Sequence, residues 1–399
     1  MRLKTFLFVL MLFCMPAYGA AFNETTIPDS FGVNIHFLDK DLDEHIALLK
    51  EAGFKWVRKD LDWGSIEQKK GIYNFERYDR QIDALNHAGI KVLLILDYSN
   101  PHYDDNFSPY TLEGRKAFVE FTKAAAKRYA TKQVAWEIYN EPNIGFWKPM
   151  PHVDNYIALA TDVTRALKQI IPDQAILAPA LAGPTTEPAK ANGSYHYLDF
   201  VLHNPVAKQW SAISVHPYRA QDLPEAILNE MPKLKRLLRK HGITAPIVFT
   251  EWGYHTAAKN IDEETQAAYA ARSFLLASAL HMPFSIWYNW QEAGNDHNEP
   301  EHQYGLVRYG DIDPGDETIK KPAFKAIHML SQQLAGYRFD AMTHSSNGIY
   351  CLRFKKEKQI AFAAWTTRKT TQPFDLSLPS GRTRLELHTM PLIIYSNAQ

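Results

Sequence analysis

Val92-Leu93-Leu94-Ile95-Leu96 is an unbroken apolar run, and how it is read decides the fold. A strand with one wet face alternates apolar and polar residues, whereas a strand covered on both faces by helices does not. Helical patterns flank this run, around Tyr78 to His87 before it and from Gly114 to Tyr129 after it, with Gly89 stopping the first. The spacing therefore predicts a buried parallel strand within a series of strand–helix units.

Outward from that strand the same unit repeats. Upstream lie strand patterns at Phe31 to Phe37 and Trp56 to Asp60. Between them Asp41 and Glu44 have capping-box spacing, and Gly53 ends the helix. Downstream, strands are expected at Val134 to Tyr139, Ala175 to Ala180, Ser211 to Val215, Ile247 to Phe249 and Phe284 to Tyr288. Helix patterns cover Asn155 to Ile171, Tyr195 to His203, Pro224 to His241, Asp262 to Leu280 and Lys321 to Leu334. Pro232 is expected to kink or divide the third of these. Eight such units predict an α/β fold, a (β/α)8 TIM barrel over residues 21–335. A doubly wound open sheet is the alternative, but no Gly-rich phosphate loop follows the first strand. After Gly336 the pattern becomes antiparallel, with strands at Ile349 to Phe354, Ile360 to Trp365, Phe374 to Leu378, Arg384 to His388 and Leu392 to Tyr395. Residues 336–399 are thus a small β-sandwich or sheet packed on the barrel.

Composition narrows the function. The chain has 399 residues, with 44 Lys plus Arg against 44 Asp plus Glu, which argues against nucleic acid as a partner. Two cysteines allow no disulfide framework or Cys-based zinc module. Arg2 and Lys4, the apolar stretch Phe6 to Met15, and Ala17-Tyr18-Gly19-Ala20-Ala21 read as a secretory signal peptide over residues 1–20. A lipoprotein anchor at Cys14 would need a small residue where bulky Phe13 stands. The mature chain is expected to be exported, periplasmic or secreted, slightly acidic, and without an integral membrane segment.

In such a barrel, chemistry sits at the C-terminal ends of the strands. Those ends carry Arg58, Asp60 and Trp63, then Asp97 and Tyr98, then Asn140 and Glu141, His216 and Tyr218, Glu251 and Trp252, and Trp287 and Trp290. Glu141 and Glu251, on strands four and seven, face one another across the mouth, as glycoside hydrolysis requires.

Trp136-Glu137-Ile138-Tyr139-Asn140-Glu141-Pro142-Asn143 and Phe249-Thr250-Glu251-Trp252-Gly253 resemble the two signature segments of clan A retaining glycosidases. The likeness is closest to family 39, which includes β-xylosidases and bacterial exopolysaccharide glycosidases, with family 5 cellulases as relatives. Val215-His216-Pro217-Tyr218 and Lys321-Pro322-Ala323-Phe324 match as well, so the resemblance runs from Phe31 to about Leu334. It implies Glu141 as general acid/base and Glu251 as nucleophile, with no cofactor and no metal, acting on a polysaccharide or oligosaccharide. The two carboxyls should then differ in pKa, Glu141 raised and Glu251 low. Arg58 and Tyr218 are candidate partners of Glu251, His216 of Glu141, and Asn140 of the sugar 2-hydroxyl. Trp287 or Trp290 is the candidate sugar platform. Asn140 and Glu141 are adjacent, and reach one site only if the strand ends or bulges there.

Competing readings are weaker. No Gly-x-Ser-x-Gly elbow or His-Glu-x-x-His motif occurs, so serine hydrolase and zinc-protease chemistry lack support. His297 and His302, near Asp296 and Glu299, read as a solvated loop before a metal site, and Trp147 as an outer subsite or a loop anchor. The rival from another class is a non-catalytic glycan-binding protein on the same barrel.

Overall fold

The computed structural model describes residues 22, 25–36, 40–183, 193–219, 222–378 and 381–397. The expected signal peptide lies outside these residues. Eight parallel strands close into a barrel in chain order: β1 (Phe31–Asn34), β2 (Trp56–Asp62), β3 (Lys91–Asp97), β4 (Val134–Ile138), β5 (Ile176–Ala182), β6 (Ala212–His216), β7 (Ile247–Trp252) and β8 (Ser285–Trp287). Around it pack α1 (Leu42–Ala52), α2 (Trp63–Ile66), α3 (Glu76–His87), α4 (Leu112–Arg128), α5 (Val153–Ile170), α6 (Ser194–His203), α7 (Ile227–Lys240), α8 (Glu263–Ala279) and α9 (Pro322–Gln333). In β3, only Lys91 is exposed, as the apolar run requires.

The strand period of two sorts the barrel interior into layers. The lower one is apolar: Trp56, Leu93, Ala135, Leu177, Ala212, Val248 and Ile286 form one buried cluster. Two residues further along β2, β4, β6 and β7 stand Arg58, Glu137, Ser214 and Thr250, all buried. A polar layer therefore rests on a greasy plug, directly beneath the mouth. The larger apolar cluster fills the space between sheet and helices.

Local details depart from expectation in three places. Pro232 does not divide its helix: α7 runs through it, and Pro232 lies on the exposed face, where the single lost backbone hydrogen bond is easily tolerated. Asp41 adopts a left-handed conformation (φ 55°) and makes no capping hydrogen bond, although Gly53 caps α1 as predicted, at φ 93°. The short α2 follows β2 directly, starting from Asp62, whose side chain accepts from the Ser65 N–H at 2.7 Å.

Beyond the barrel, β9 (Arg338–Ser346), β10 (Ile349–Lys356), β11 (Gln359–Thr366) and β14 (Leu392–Asn397) form an antiparallel sheet in the order β14-β11-β10-β9. The hairpin β12 (Gln372–Leu378) and β13 (Gly381–Leu387) covers one face through Leu376 and Leu387, which meet buried Cys351, Phe362 and Ala364. The other face, with Leu352, Phe354, Ala363 and Trp365, joins the barrel core. No helix among the described residues is long and apolar enough to cross a membrane.

Candidate active site

Glu141 and Glu251 meet at the barrel mouth, each 7% exposed. Both owe their aim to a break in the strand. β4 ends at Ile138, and Tyr139 and Glu141 then take positive φ, 65° and 44°, so that adjacent Asn140 and Glu141 both turn toward the mouth. The Glu141 N–H is tied to the Ala180 carbonyl at 3.0 Å, within a bulged stretch of β5. On β7, a bulge between Phe249 and Trp252 does the same for Thr250 and Glu251.

Arg58 organises the floor. Its Nε donates to Glu137 Oε2 at 2.6 Å, Nη2 to Asn140 Oδ1 at 2.9 Å, and Nη1 to Asn34 Oδ1 at 3.4 Å and to Glu251 Oε1. Tyr218 Oη donates to the other oxygen, Glu251 Oε2, at 2.9 Å. Glu251 is thus gripped from two sides by donors. Burial alone would lower the Arg58 pKa, but the carboxylates of Glu137 and Glu251 more than offset it and hold the guanidinium charged. Asn140 completes the layer by donating to Tyr98 Oη at 2.9 Å.

His216, fully buried at the end of β6, links the two acids. Its Nδ1 lies 2.8 Å from Glu141 Oε1, and its Nε2 lies 3.0 Å from Thr250 Oγ1 and 3.5 Å from Arg58 Nη2. A guanidinium cannot accept, so Nε2 is the bare nitrogen and Nδ1–H donates to Glu141. Burial, reinforced by the Arg58 charge, pushes the imidazole pKa down to about 4, so the ring is neutral. Glu141 moves the opposite way. Burial pushes its carboxyl up to about 7, with Arg58 opposing and Glu301 and Glu137 adding to the rise. Near neutral pH it both holds and releases a proton, and Oε2 is left free to do so.

Oxygen or nitrogen atoms of Glu141, His216 and Glu251 lie within 4.8 Å of one another, close enough in principle to hold a cation. The charges do not suit one. The Arg58 guanidinium already occupies Glu251 and faces His216, and His216 Nδ1 is committed as a donor. Among the described residues the loop with His297 and His302 contributes to no such cluster: His297 Nδ1 pairs with Gln303 and His302 Nδ1 accepts from the Asp296 N–H.

Arg58, Asn140, Glu141, His216, Tyr218 and Glu251 therefore converge. Trp287 and Trp290 do not. Both are buried, at 1% and 2% exposure. Trp290 Nε1 donates to His45 Nδ1 at 2.9 Å while the ring packs on Phe54 and Phe324, so neither ring offers an open face over the acids. The residue between them, half-buried Tyr288, stands at the mouth instead. Its ring meets Tyr218 (6.2 Å), Tyr304 (5.2 Å) and His36 (5.5 Å), and its hydroxyl donates to Glu301 at 2.7 Å. Trp63, Trp147 and Trp252 are buried too, and Trp147 anchors its loop against Tyr139 and Tyr156. The rings lining the mouth are tyrosines. Sequence reading gave no role to Asn34 or Thr250; Asp97, expected at the end of its strand, is buried, and burial with the nearby Asp60 charge pushes its pKa well up. Two-residue spacing from Gly32 to Asn34 and from Val248 to Thr250 was the available signal.

A model of the cellulase family (glycosyl hydrolase family 5) matches residues 17–293. A curated β-xylosidase of Geobacillus stearothermophilus is 26% identical over 294 residues, covering 63% of this chain and 57% of that protein, so the match spans little more than half of the relative's length. Among solved structures, a family 39 glycoside hydrolase from Bacteroides cellulosilyticus WH2 superposes with a TM-score of 0.78 at 24% identity, covering 93% of this chain and 81% of the other. A family 39 β-xylosidase from Caulobacter crescentus gives 0.64 at 17%, covering 87% and 78%. At these identities the structural matches speak to the fold alone. With the family model covering most of the barrel, the chain belongs to the cellulase (glycosyl hydrolase family 5) family of clan A glycoside hydrolases, and it shares its fold with family 39 enzymes.

Proposed function

We propose that the protein is a retaining β-glycosidase acting on a polysaccharide or oligosaccharide, a bacterial exopolysaccharide being one candidate. The observation that carries this reading is the Glu141–Glu251 pair, with a carboxylate oxygen of each within 4.8 Å of the other and opposite environments. Inverting enzymes keep their carboxyls about 6.5–9.5 Å apart to admit a water, whereas retaining enzymes need about 5–5.5 Å. Glu251, held by Arg58 and Tyr218, attacks the anomeric carbon as the bond to the leaving oxygen breaks. Glu141 gives that oxygen its proton. Water then attacks the glycosyl ester while Glu141, now a carboxylate, takes the water's proton, and Glu251 leaves as a carboxylate. Asn140, fixed between Arg58 and Tyr98, is placed to meet the sugar 2-hydroxyl, and Tyr288 supplies the ring platform. The reaction uses protein side chains alone, with no cofactor. Export to the periplasm or medium follows from the N-terminal pattern of Arg2, Lys4 and Phe6 to Met15.

The test is a screen of β-glucans, xylans, mannans and bacterial exopolysaccharides, followed by Glu251→Gln on whatever is cleaved. We expect the variant to fold normally and lose about four orders of magnitude in kcat. NMR of the first-formed product should show the substrate's own anomeric configuration. Full activity in the variant, or the opposite anomer, refutes the mechanism. Glycan binding by the unmodified protein without turnover would favour a binding role instead.

A further inference from the structure

The hydrogen bond from Tyr218 Oη to Glu251 Oε2, 2.9 Å long, is only as well aimed as the loop that carries Tyr218. Tyr218 stands two residues past the end of β6, its N–H turned back onto the His216 carbonyl at 2.9 Å. Its half-buried ring meets Tyr288 and Tyr304 edge to face, 6.2 and 6.0 Å between centroids, and such contacts do not fix where the hydroxyl points. The next residue supplies that constraint. While Tyr218 reaches into the mouth, Arg219 turns toward α7, its side chain 2% exposed. There it grips Glu230 at two points, Nη1 to Oε1 at 2.8 Å and Nη2 to Oε2 at 3.1 Å. The same guanidinium lies 5.8 Å from the ring centre of Trp252, the residue after Glu251, an attraction of cation to aromatic face. Asp222 holds the loop a second time: its N–H bonds the Arg219 carbonyl at 2.9 Å, and its own carbonyl accepts from Tyr254 Oη at 3.0 Å.

Arg219 is the residue after Tyr218, and Trp252 the residue after Glu251, so one buried group braces both ends of the hydrogen bond from behind. A planar guanidinium held at two points fixes angle as well as distance, which a single ammonium contact does not. Stability alone gives little reason for it, because a buried ion pair returns little over an apolar pair of the same volume. Its anchor is well seated: Glu230 lies in the first turn of α7, where the helix dipole favours a carboxylate. Among the described residues the side-chain hydrogen bonds of Arg219 go to Glu230, not to either glutamate of the mouth, so any effect on the chemistry passes through Tyr218. Such an effect can be large, since a misplacement of about 1 Å at reacting groups costs about 100-fold in rate.

We propose that Arg219 and Glu230 are positioning residues for the nucleophile: their ion pair seats the loop after β6 so that Tyr218 meets Glu251 in the geometry the displacement needs. The inference rests on the glycosidase reading above. It is tested by a double-mutant cycle with Tyr218→Phe, on a substrate identified by the glycan screen. Arg219→Lys keeps the buried charge beside its counterion, so it should fold, but it gives up the two-point grip. We expect its kcat to fall about tenfold at unchanged KM, because the contacts that Asn140 and Tyr288 offer the sugar remain. In the Tyr218→Phe protein the same replacement should cost less than about twofold, since the bond it protects is already gone. Glu230→Gln, which keeps the shape of the partner and removes its charge, is the second variant and should show the same non-additivity. Equal losses with and without the Tyr218 hydroxyl, full kcat in both variants, or a rise in KM at unchanged kcat overturns the positioning role and leaves the glycosidase reading in place. Inertness of the folded, unmodified protein toward every glycan in the screen overturns both.

Discussion

Glu141 shows how one carboxyl serves as acid and then base. It is buried, accepts from neutral His216, and is deprived of the strong cation contact that Arg58 gives Glu251. With its pKa raised to about 7, the acid form needed for leaving-group protonation is present below that pH and lost above it. We therefore expect kcat/KM to fall on an alkaline limb centred near pH 7. In kcat/KM, Glu141→Gln should cost about 10²–10⁴-fold on saccharides with a sugar leaving group and far less on nitrophenyl glycosides, whose departure needs no proton. The same shift has a sign for stability. The folded state holds this proton more tightly than the unfolded chain, so stability is lost as pH rises from about 4.5 to about 7 and is level beyond. Glu141→Gln should accordingly gain stability relative to the unmodified protein at pH 8 compared with pH 4.5, by up to about 3 kcal/mol. Urea unfolding at the two pH values measures it; an unchanged difference would remove burial as the cause of the shift.

At the scale of elements, what the sequence discloses is what periodicity encodes. The all-apolar Val92 to Leu96 run and its neighbours announce eight covered strands, and the strand ends locate His216, Glu141 and Glu251, whereas Arg58, expected at an end, lies inside β2 in the layer beneath the mouth. Periodicity is silent where the backbone leaves its regular path. Positive φ at Tyr139 and Glu141, and the β7 bulge at Thr250 and Glu251, are cooperative results of closing the barrel and have no residue signature. At the end of β8 alternation likewise separates Tyr288, at the mouth, from its buried neighbour Trp287, while Trp290 lies beyond the strand and is buried against Phe54 and Phe324. β9 escaped notice because its residues are mostly half-buried or exposed. Gly253 was legible as part of a motif, but its reason is steric. A Cβ there would lie 2.0 Å from the Tyr288 carbonyl oxygen, in the same pair of loops where the Tyr288 N–H bonds the Trp252 carbonyl. Gly253→Ala must push the β8 loop and Tyr288 outward. We expect KM to rise at least about tenfold, with a stability loss of about 1–3 kcal/mol. Wild-type KM in this variant would show that the Tyr288 loop does not position substrate.

Across the whole molecule, the small antiparallel sheet is part of the barrel's core and not an appendage. Trp365 on β11 is fully buried in the main apolar cluster, stacked on Tyr350, and its Nε1 donates to Glu225 Oε1 at 2.7 Å. Glu225 sits in the turn before α7 and also accepts from Arg272 of α8, Nε at 2.7 Å. One buried carboxylate thus joins the β6–α7 connection, α8 and the sheet. Removing either anchor strands the others: Glu225→Gln leaves the Arg272 charge buried without its counterion, at a cost of about 3–5 kcal/mol. Trp365→Ala opens a cavity of similar consequence. Because barrel and sheet share this core, unfolding should be a single cooperative transition in which loss of activity coincides with loss of sheet structure. A chain ending at Gly336 would expose the barrel surface now covered by Leu352, Phe354 and Trp365, and is expected to aggregate. Calorimetry of the full chain discriminates: two resolved transitions, with activity persisting past the first, would mean that the sheet is an independent unit and that the Glu225 clamp contributes little to the active barrel.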